Sequence, residues 1–149
     1  MQHPHEFYMK KALIEAQRGS NEDEVPVGAV IVYKNKIIGK AYNLCFKLCD
    51  PTAHAEIQVI TAACNYLQSR YLDKCTLYTT LQPCVMCSGA MYWSQLGHLV
   101  YGADDEKMKG GARKNIMHPN TKITKGILSY ECGELLTDFF KKKRKLKKK

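Results

Sequence analysis

Two short segments constrain this chain more than anything else in it: Thr52-Ala53-His54-Ala55-Glu56 and Gln82-Pro83-Cys84-Val85-Met86-Cys87. Each follows a strand-like run and opens a helix-like one. Twenty-nine residues separate His54 from Cys84, room for one helix, one strand and two short loops. A parallel crossover of that size brings two helix N-termini to the same edge of one sheet.

The residue types say what could meet there. Zinc prefers thiolate sulfur and imidazole nitrogen. The Cys84-x-x-Cys87 spacing lets two sulfurs reach one ion from a single turn of backbone. A helix N-terminus favours negative charge and helps keep thiols ionised. With His54 the set has three ligands, and two thiolates match the charge of Zn2+. The fourth tetrahedral position is left for water, as in a catalytic site. A structural site would need a fourth protein ligand, for which Cys45 and Cys49 are the candidates; their spacing also suits a second metal. Glu56 supplies a carboxylate that can take a proton from a metal-activated water and return it to a substrate. Positions 54 and 56 lie about 200° apart on an ideal helix. Both can face one site only if His54 sits in the irregular start of its helix.

The rest of the chain alternates helix and strand. Met9, Ala12, Leu13 and Ala16 keep the spacing of an amphipathic helix, with Gly19 as its stop. Val27 to Tyr33 and Ile37 to Tyr42 read as a hairpin around Lys34-Asn35-Lys36, whose turn type is open because the favoured Asn-Gly pair is lacking. Asp50-Pro51-Thr52 marks a turn before a helix over residues 53–69, with Asp50 or Thr52 as cap. Thr76 to Thr80 is a third strand, residues 84–94 a helix after Pro83, and Leu99 to Tyr101 a fourth strand. Residues 104–120, with Gly110-Gly111, read as loop. Ile123 to Leu128 is a fifth strand and Tyr130 to Phe140 the last helix. The expected fold class is α/β: three α/β/α layers, with a mixed, mostly parallel five-stranded sheet and helices on both faces.

Charge divides the chain unevenly. Eight of its nine net positive charges lie in Lys141 to Lys149, leaving +1 over residues 1–140. The expected organisation is therefore one domain over 1–140 and a basic tail over 141–149 that extends the last helix. Such a run is either a solvated tail or a contact for phosphate-rich nucleic acid. Seven cysteines fit reduced thiols better than a disulfide scaffold, with Cys64, Cys75 and Cys132 as buried apolar side chains. No apolar run approaches the ~20 residues of a membrane span, and Met1-Gln2-His3-Pro4-His5 lacks a signal layout. The expectation is a soluble, unprocessed, cytoplasmic chain with no membrane partner.

At these residues the chain resembles the cytidine-deaminase superfamily, and within it the bacterial tRNA adenosine deaminases of the TadA type. The likeness runs from Val25-Pro26-Val27-Gly28-Ala29-Val30 through Asn43, Asp50-Pro51-Thr52-Ala53-His54-Ala55-Glu56 and Pro83-Cys84-Val85-Met86-Cys87. It continues to Gly89-Ala90-Met91, Val100-Tyr101-Gly102-Ala103 and Asp138-Phe139-Phe140. It implies a cytidine deaminase-like fold, one Zn2+ per subunit on His54, Cys84 and Cys87, and Glu56 as proton carrier. The implied reaction converts the flipped-out wobble adenosine of a tRNA anticodon loop to inosine. Asn43 would contact the base, which on residue type alone is a strand-ending turn residue. Asp105, Phe140 and Arg144 would contact the anticodon loop, and the enzyme would be a homodimer.

The sequence departs from that family in places. Gln82 stands where glutamate is usual, and is expected to act mainly through its backbone. Asp104-Asp105 replaces an Arg-Asp pair, residues 106–119 diverge, and Cys45, Phe46 and Cys49 occupy a loop that is usually more polar. These positions select substrate. The competing readings are a deaminase of a free base or nucleoside of guanine, cytosine or cytidine type, and a non-enzymatic zinc module that binds RNA. The basic tail argues against the first and Glu56 against the second.

Overall fold

The computed structural model describes residues 3–108 and 116–147. Its elements, in chain order, are α1 (Pro4–Asn21), β1 (Gly28–Tyr33), β2 (Lys36–Tyr42), α2 (Ala55–Leu67), β3 (Cys75–Leu81), α3 (Val85–Trp93), β4 (His98–Ala103), a 3-10 turn (Glu106–Met108), β5 (Lys122–Lys125) and α4 (Ser129–Lys147). Gly110-Gly111, Lys148 and Lys149 lie outside the described residues.

The strands form one sheet in the order β2-β1-β3-β4-β5. β1 is antiparallel to both β2 and β3, while β3, β4 and β5 are mutually parallel neighbours. Four strands therefore run one way and β1 alone runs against them, which makes the sheet mixed and mostly parallel. The hairpin turn holds Lys34 at φ 49° and Asn35 at φ 61°, the two left-handed residues of a type I′ turn.

Alternation along the strands divides the interior in two. Ala29, Ile31, Leu77 and Leu99 pack with Val59 and Ala63 of α2 and Cys87 and Met91 of α3. Val30, Val32, Tyr78 and Val100 pack with Met9 and Ala12 of α1 and Cys132 of α4. Successive strand residues point to opposite faces, and β1, β3 and β4 are buried along nearly their whole length because both faces are covered. This is the three-layer arrangement expected of the sequence.

Several local readings are corrected. α1 does not stop at Gly19 but continues to Asn21. Gly19 is small because a side chain there would press on the Tyr42 ring. His54, not Asp50 or Thr52, caps α2; Asp50 Oδ1 instead accepts from the backbone N–H and hydroxyl of Thr52. β5 ends at Lys125, since Gly126 (φ 84°) and Leu128 (φ 54°) turn the chain away. α4 runs on through the basic stretch to Lys147. Cys75 and Cys132 are buried, whereas Cys64 is only half-buried against the core. No described helix is long and apolar enough to cross a membrane.

Gly28 opens β1 directly beneath α1. A methyl group there would overlap the backbone at Ala12 and Ala16, which cannot yield as a side-chain end would. Gly28→Ala is expected to cost about 3 kcal/mol or more, read as a lowered urea midpoint at unchanged slope; a midpoint equal to the parent chain would refute the close packing of α1 on β1.

Candidate active site

β2 and β3 point the same way on either side of β1, so α2 and α3 begin at the same sheet edge. Both helices open on a residue with extended backbone: His54 at φ −73°, ψ 151°, and Cys84 at φ −72°, ψ 175°. This resolves the angular conflict between positions 54 and 56. His54 lies outside the helical spiral, so its ring and the Glu56 side chain reach the same cavity.

The start of α2 is fastened to the end of β2. Asn43 Oδ1 accepts the Ala55 N–H at 2.8 Å, and Gln58 Nε2 donates to the Tyr42 carbonyl at 2.7 Å. Asn43 is thus both the strand-ending residue of the residue-type reading and a wall of the cavity. Its carbonyl is committed to the helix, leaving its amide N–H2 as the group it can offer a ligand. The start of α3 is closed by Cys84 itself, whose sulfur accepts the Cys87 N–H at 3.5 Å. A sulfur here occupies the place where Ser or Asp usually caps a helix.

His54 Nδ1 lies 3.6 Å from Cys84 Sγ and 3.4 Å from Cys87 Sγ. The three ligand atoms all fall within 4.8 Å of one another. Zinc bonded at about 2.3 Å to sulfur and about 2.0–2.1 Å to nitrogen in a tetrahedron gives N···S edges of about 3.6 Å. The observed spacing fits such an ion. Among the described residues no fourth cysteine, histidine or carboxylate joins the cluster, and Cys45 and Cys49 stand outside it. The Cys87 bond to Cys84, followed by His54, holds the Cys84 thiol well below its ordinary range, at about 4. The same bond and burial push Cys87 upward. The Cys87 thiol, the imidazole and the Cys87 N–H thus already favour one thiolate, the form in which cysteine binds a metal.

Glu56 is 3% exposed, and its Oε1 has no hydrogen-bond partner. Burial pushes its carboxyl up to about 7. A carboxyl held near neutrality beside a cation site can both accept and give a proton.

His54, Glu56 and Cys84 line a cavity of about 870 Å³. Asn43, Asp105 and Phe140 line it as well, so most residues singled out in the sequence are brought together. Arg144 is not: it is exposed, one turn beyond Phe140 on α4. Gln82 acts through its side chain as well as its backbone, since Oε1 accepts the Asp105 N–H at 3.0 Å while its own N–H binds the Ala103 carbonyl. A glutamate carboxylate at this position could accept the same bond.

One residue of the site was missed in the sequence. Glu24 is 1% exposed and accepts the N–H groups of Phe46 and Lys47 at 3.1 and 2.8 Å. It thereby fixes the loop between β2 and α2 at the cavity wall. No local signal reveals this, because an acid just before a strand looks like any solvated surface carboxylate.

The chain matches the description of the MafB19-like deaminases over residues 3–144. A tRNA-specific adenosine deaminase of Aquifex aeolicus is 44% identical, covering 93% of this chain and 95% of that one. A structure solved in a study of A-to-I editing by tRNA:A34 deaminases at the wobble position is 38% identical. It covers 87% of this chain and 99% of that one, with a TM-score of 0.80. A guanine deaminase from Bacillus subtilis, also 38% identical, covers 77% of this chain and 73% of that one at a TM-score of 0.66. With the family model spanning nearly the whole chain and relatives of about 40% identity matched over nearly their full length, this chain belongs to the MafB19-like deaminase family and is related to the tRNA-specific adenosine deaminases.

Proposed function

We propose that this chain hydrolyses the 6-amino group of the wobble adenosine in a tRNA anticodon loop, giving inosine and ammonia. The observation that carries the reading is the convergence of one imidazole nitrogen and two sulfurs on a common point, beside a buried carboxyl with a free oxygen. The choice of adenosine in tRNA is supported by relatives that match nearly the full chain and by the basic end of α4.

His54, Cys84 and Cys87 would hold one Zn2+ per subunit. When bound, that ion supplies Lewis acidity, which makes water nucleophilic near neutral pH. The protein's own groups do the rest. Glu56 takes a proton from the attacking water and delivers it to N1 of the adenine as oxygen bonds to C6. A second transfer through Glu56 moves the remaining water proton to the amino group. The C6–N bond then breaks and ammonia leaves, so that one water is consumed per amine released. The Asn43 amide N–H can donate to a ring nitrogen of the base. Its carbonyl, held by Ala55, keeps it from turning.

Around this centre, Asp105, Phe140 and Arg144 are read as contacts to the anticodon loop, with residues 1–140 as the deaminase domain and 141–149 as a basic extension along the RNA. The seven cysteines are free, which suits a reducing cytoplasm. The chain is read as a homodimer through α3. Val85, Gly89 and Trp93 lie at i, i+4 and i+8, Trp93 is 79% exposed, and the space above Gly89 is open. An exposed apolar stripe of this kind commonly marks an interface.

Two experiments test this. Zinc-loaded protein is mixed with anticodon stem-loops and with free guanine, cytosine and cytidine, and products are read by mass spectrometry. Inosine in a stem-loop is expected, and Glu56→Ala should keep its zinc while losing at least about 100-fold in turnover. Ammonia from a free base with no inosine in any loop would give the competing base-deaminase reading the advantage. Light scattering should show a dimer for the parent chain and a monomer for Trp93→Glu; a monomeric parent chain would remove the assembly.

A further inference from the structure

The loop Leu44–Asp50 carries an aromatic ring whose placement the deamination step does not explain. Phe46 is 68% exposed, yet the backbone that carries it is held by several hydrogen bonds. The buried Glu24 carboxylate grips the N–H groups of Phe46 and Lys47. Leu44 N–H binds the Ala53 carbonyl, and Leu48 and Asp50 close the loop onto Leu44 and Cys45. A solvated surface loop has no need of a buried acid beneath it. The arrangement presents the Phe46 ring from a fixed backbone at the wall of the catalytic cavity, which Phe140 of α4 also lines.

The surroundings indicate what the ring meets. At about 870 Å³, the cavity is near the top of the range for drug-sized ligands, about 300–1,000 Å³, and exceeds the needs of one planar base. Beside Phe46 a second cavity brings Lys47 together with Lys143 of α4, and with Glu22, Asp23 and Glu24; the Lys143 amine reaches Asp23 at 3.4 Å. The other wall carries Asp104, Asp105, Glu106 and Lys107. Lys47 and Lys143 stand beside the ring, where their amines can meet the phosphates of a strand whose base lies on Phe46. Aromatic rings interleaved with cations are how proteins hold single-stranded nucleic acid, with bases stacked on rings and phosphates on the amines.

We infer that Phe46 is a specificity-determining residue, forming a stacking platform for the base of a nucleotide adjacent to the deaminated one. Glu24 is the positioning residue that fixes the platform. The inference rests on the proposed deamination of a nucleotide within an RNA loop and adds how that loop is gripped.

The test is a cycle between protein and substrate. Phe46→Leu and Phe46→Trp are compared with the parent chain on an anticodon stem-loop and on two loops with an abasic nucleotide 5′ or 3′ of the target adenosine. Phe46→Leu should lower kcat/KM on the intact loop about tenfold, the scale of one base–aromatic stack, mainly through KM. Phe46→Trp should retain parent values. On one abasic loop the parent should lose a similar factor and Phe46→Leu should lose nothing more. Parent-like values for Phe46→Leu, or an undiminished loss on both abasic loops, would overturn the platform while leaving the deaminase reading intact. No inosine from the parent chain on any loop would overturn both.

Discussion

A single reversed strand sets the geometry on which the active site depends. β1 runs against its neighbours, so β2 and β3 flank it in the same direction. The helices that follow them must start at one edge of the sheet and on one face. Each start is a residue with extended backbone, and each such residue is a prospective ligand, His54 or Cys84. Two helix N-termini therefore converge on one point with their N–H groups directed inward. That field favours thiolate, and the bond from Asn43 to Ala55 locks one side of the arrangement in place. Moving either helix start by one residue would rotate its ligand by about 100° and disperse the cluster.

The same edge explains why substrate groups collect there. In open α/β sheets, ligands bind beyond the carboxyl ends of the parallel strands. Here the loops after β2, β3 and β4, together with the first turns of α4, wall the cavity. Chemistry sits at its base on the first residues of two helices, which pack against the buried face of the sheet. The rim is built from loops and from the face of α4 that carries Ser129, Gly133, Leu136, Thr137 and Phe140.

How much of this could be read in advance follows from how local each determinant is. His54, Glu56, Cys84 and Cys87 were legible because zinc chemistry demands particular residue types at short spacing. The layer order was legible because strands buried on both faces are apolar without alternation, as in Gly28–Tyr33. What escaped depends on partners distant in sequence. Gly19 looked like a helix stop because its real reason, the Tyr42 ring, lies 23 positions away. Glu24 looked solvated because the N–H groups that bury it belong to the loop at Phe46 and Lys47. β5 was read too long because Ile127 and Leu128 are apolar, and only the positive φ at Gly126 and Leu128 shows the turn.

The account rests on one imidazole and two thiolates, with a fourth position left to solvent. X-ray absorption at the zinc edge of the loaded protein measures that set directly. It should give two sulfur neighbours at about 2.3 Å and two lighter neighbours at about 2.0–2.1 Å. A spectrum requiring three or four sulfurs would place Cys45 or Cys49 on the metal, close the open position and contradict the account.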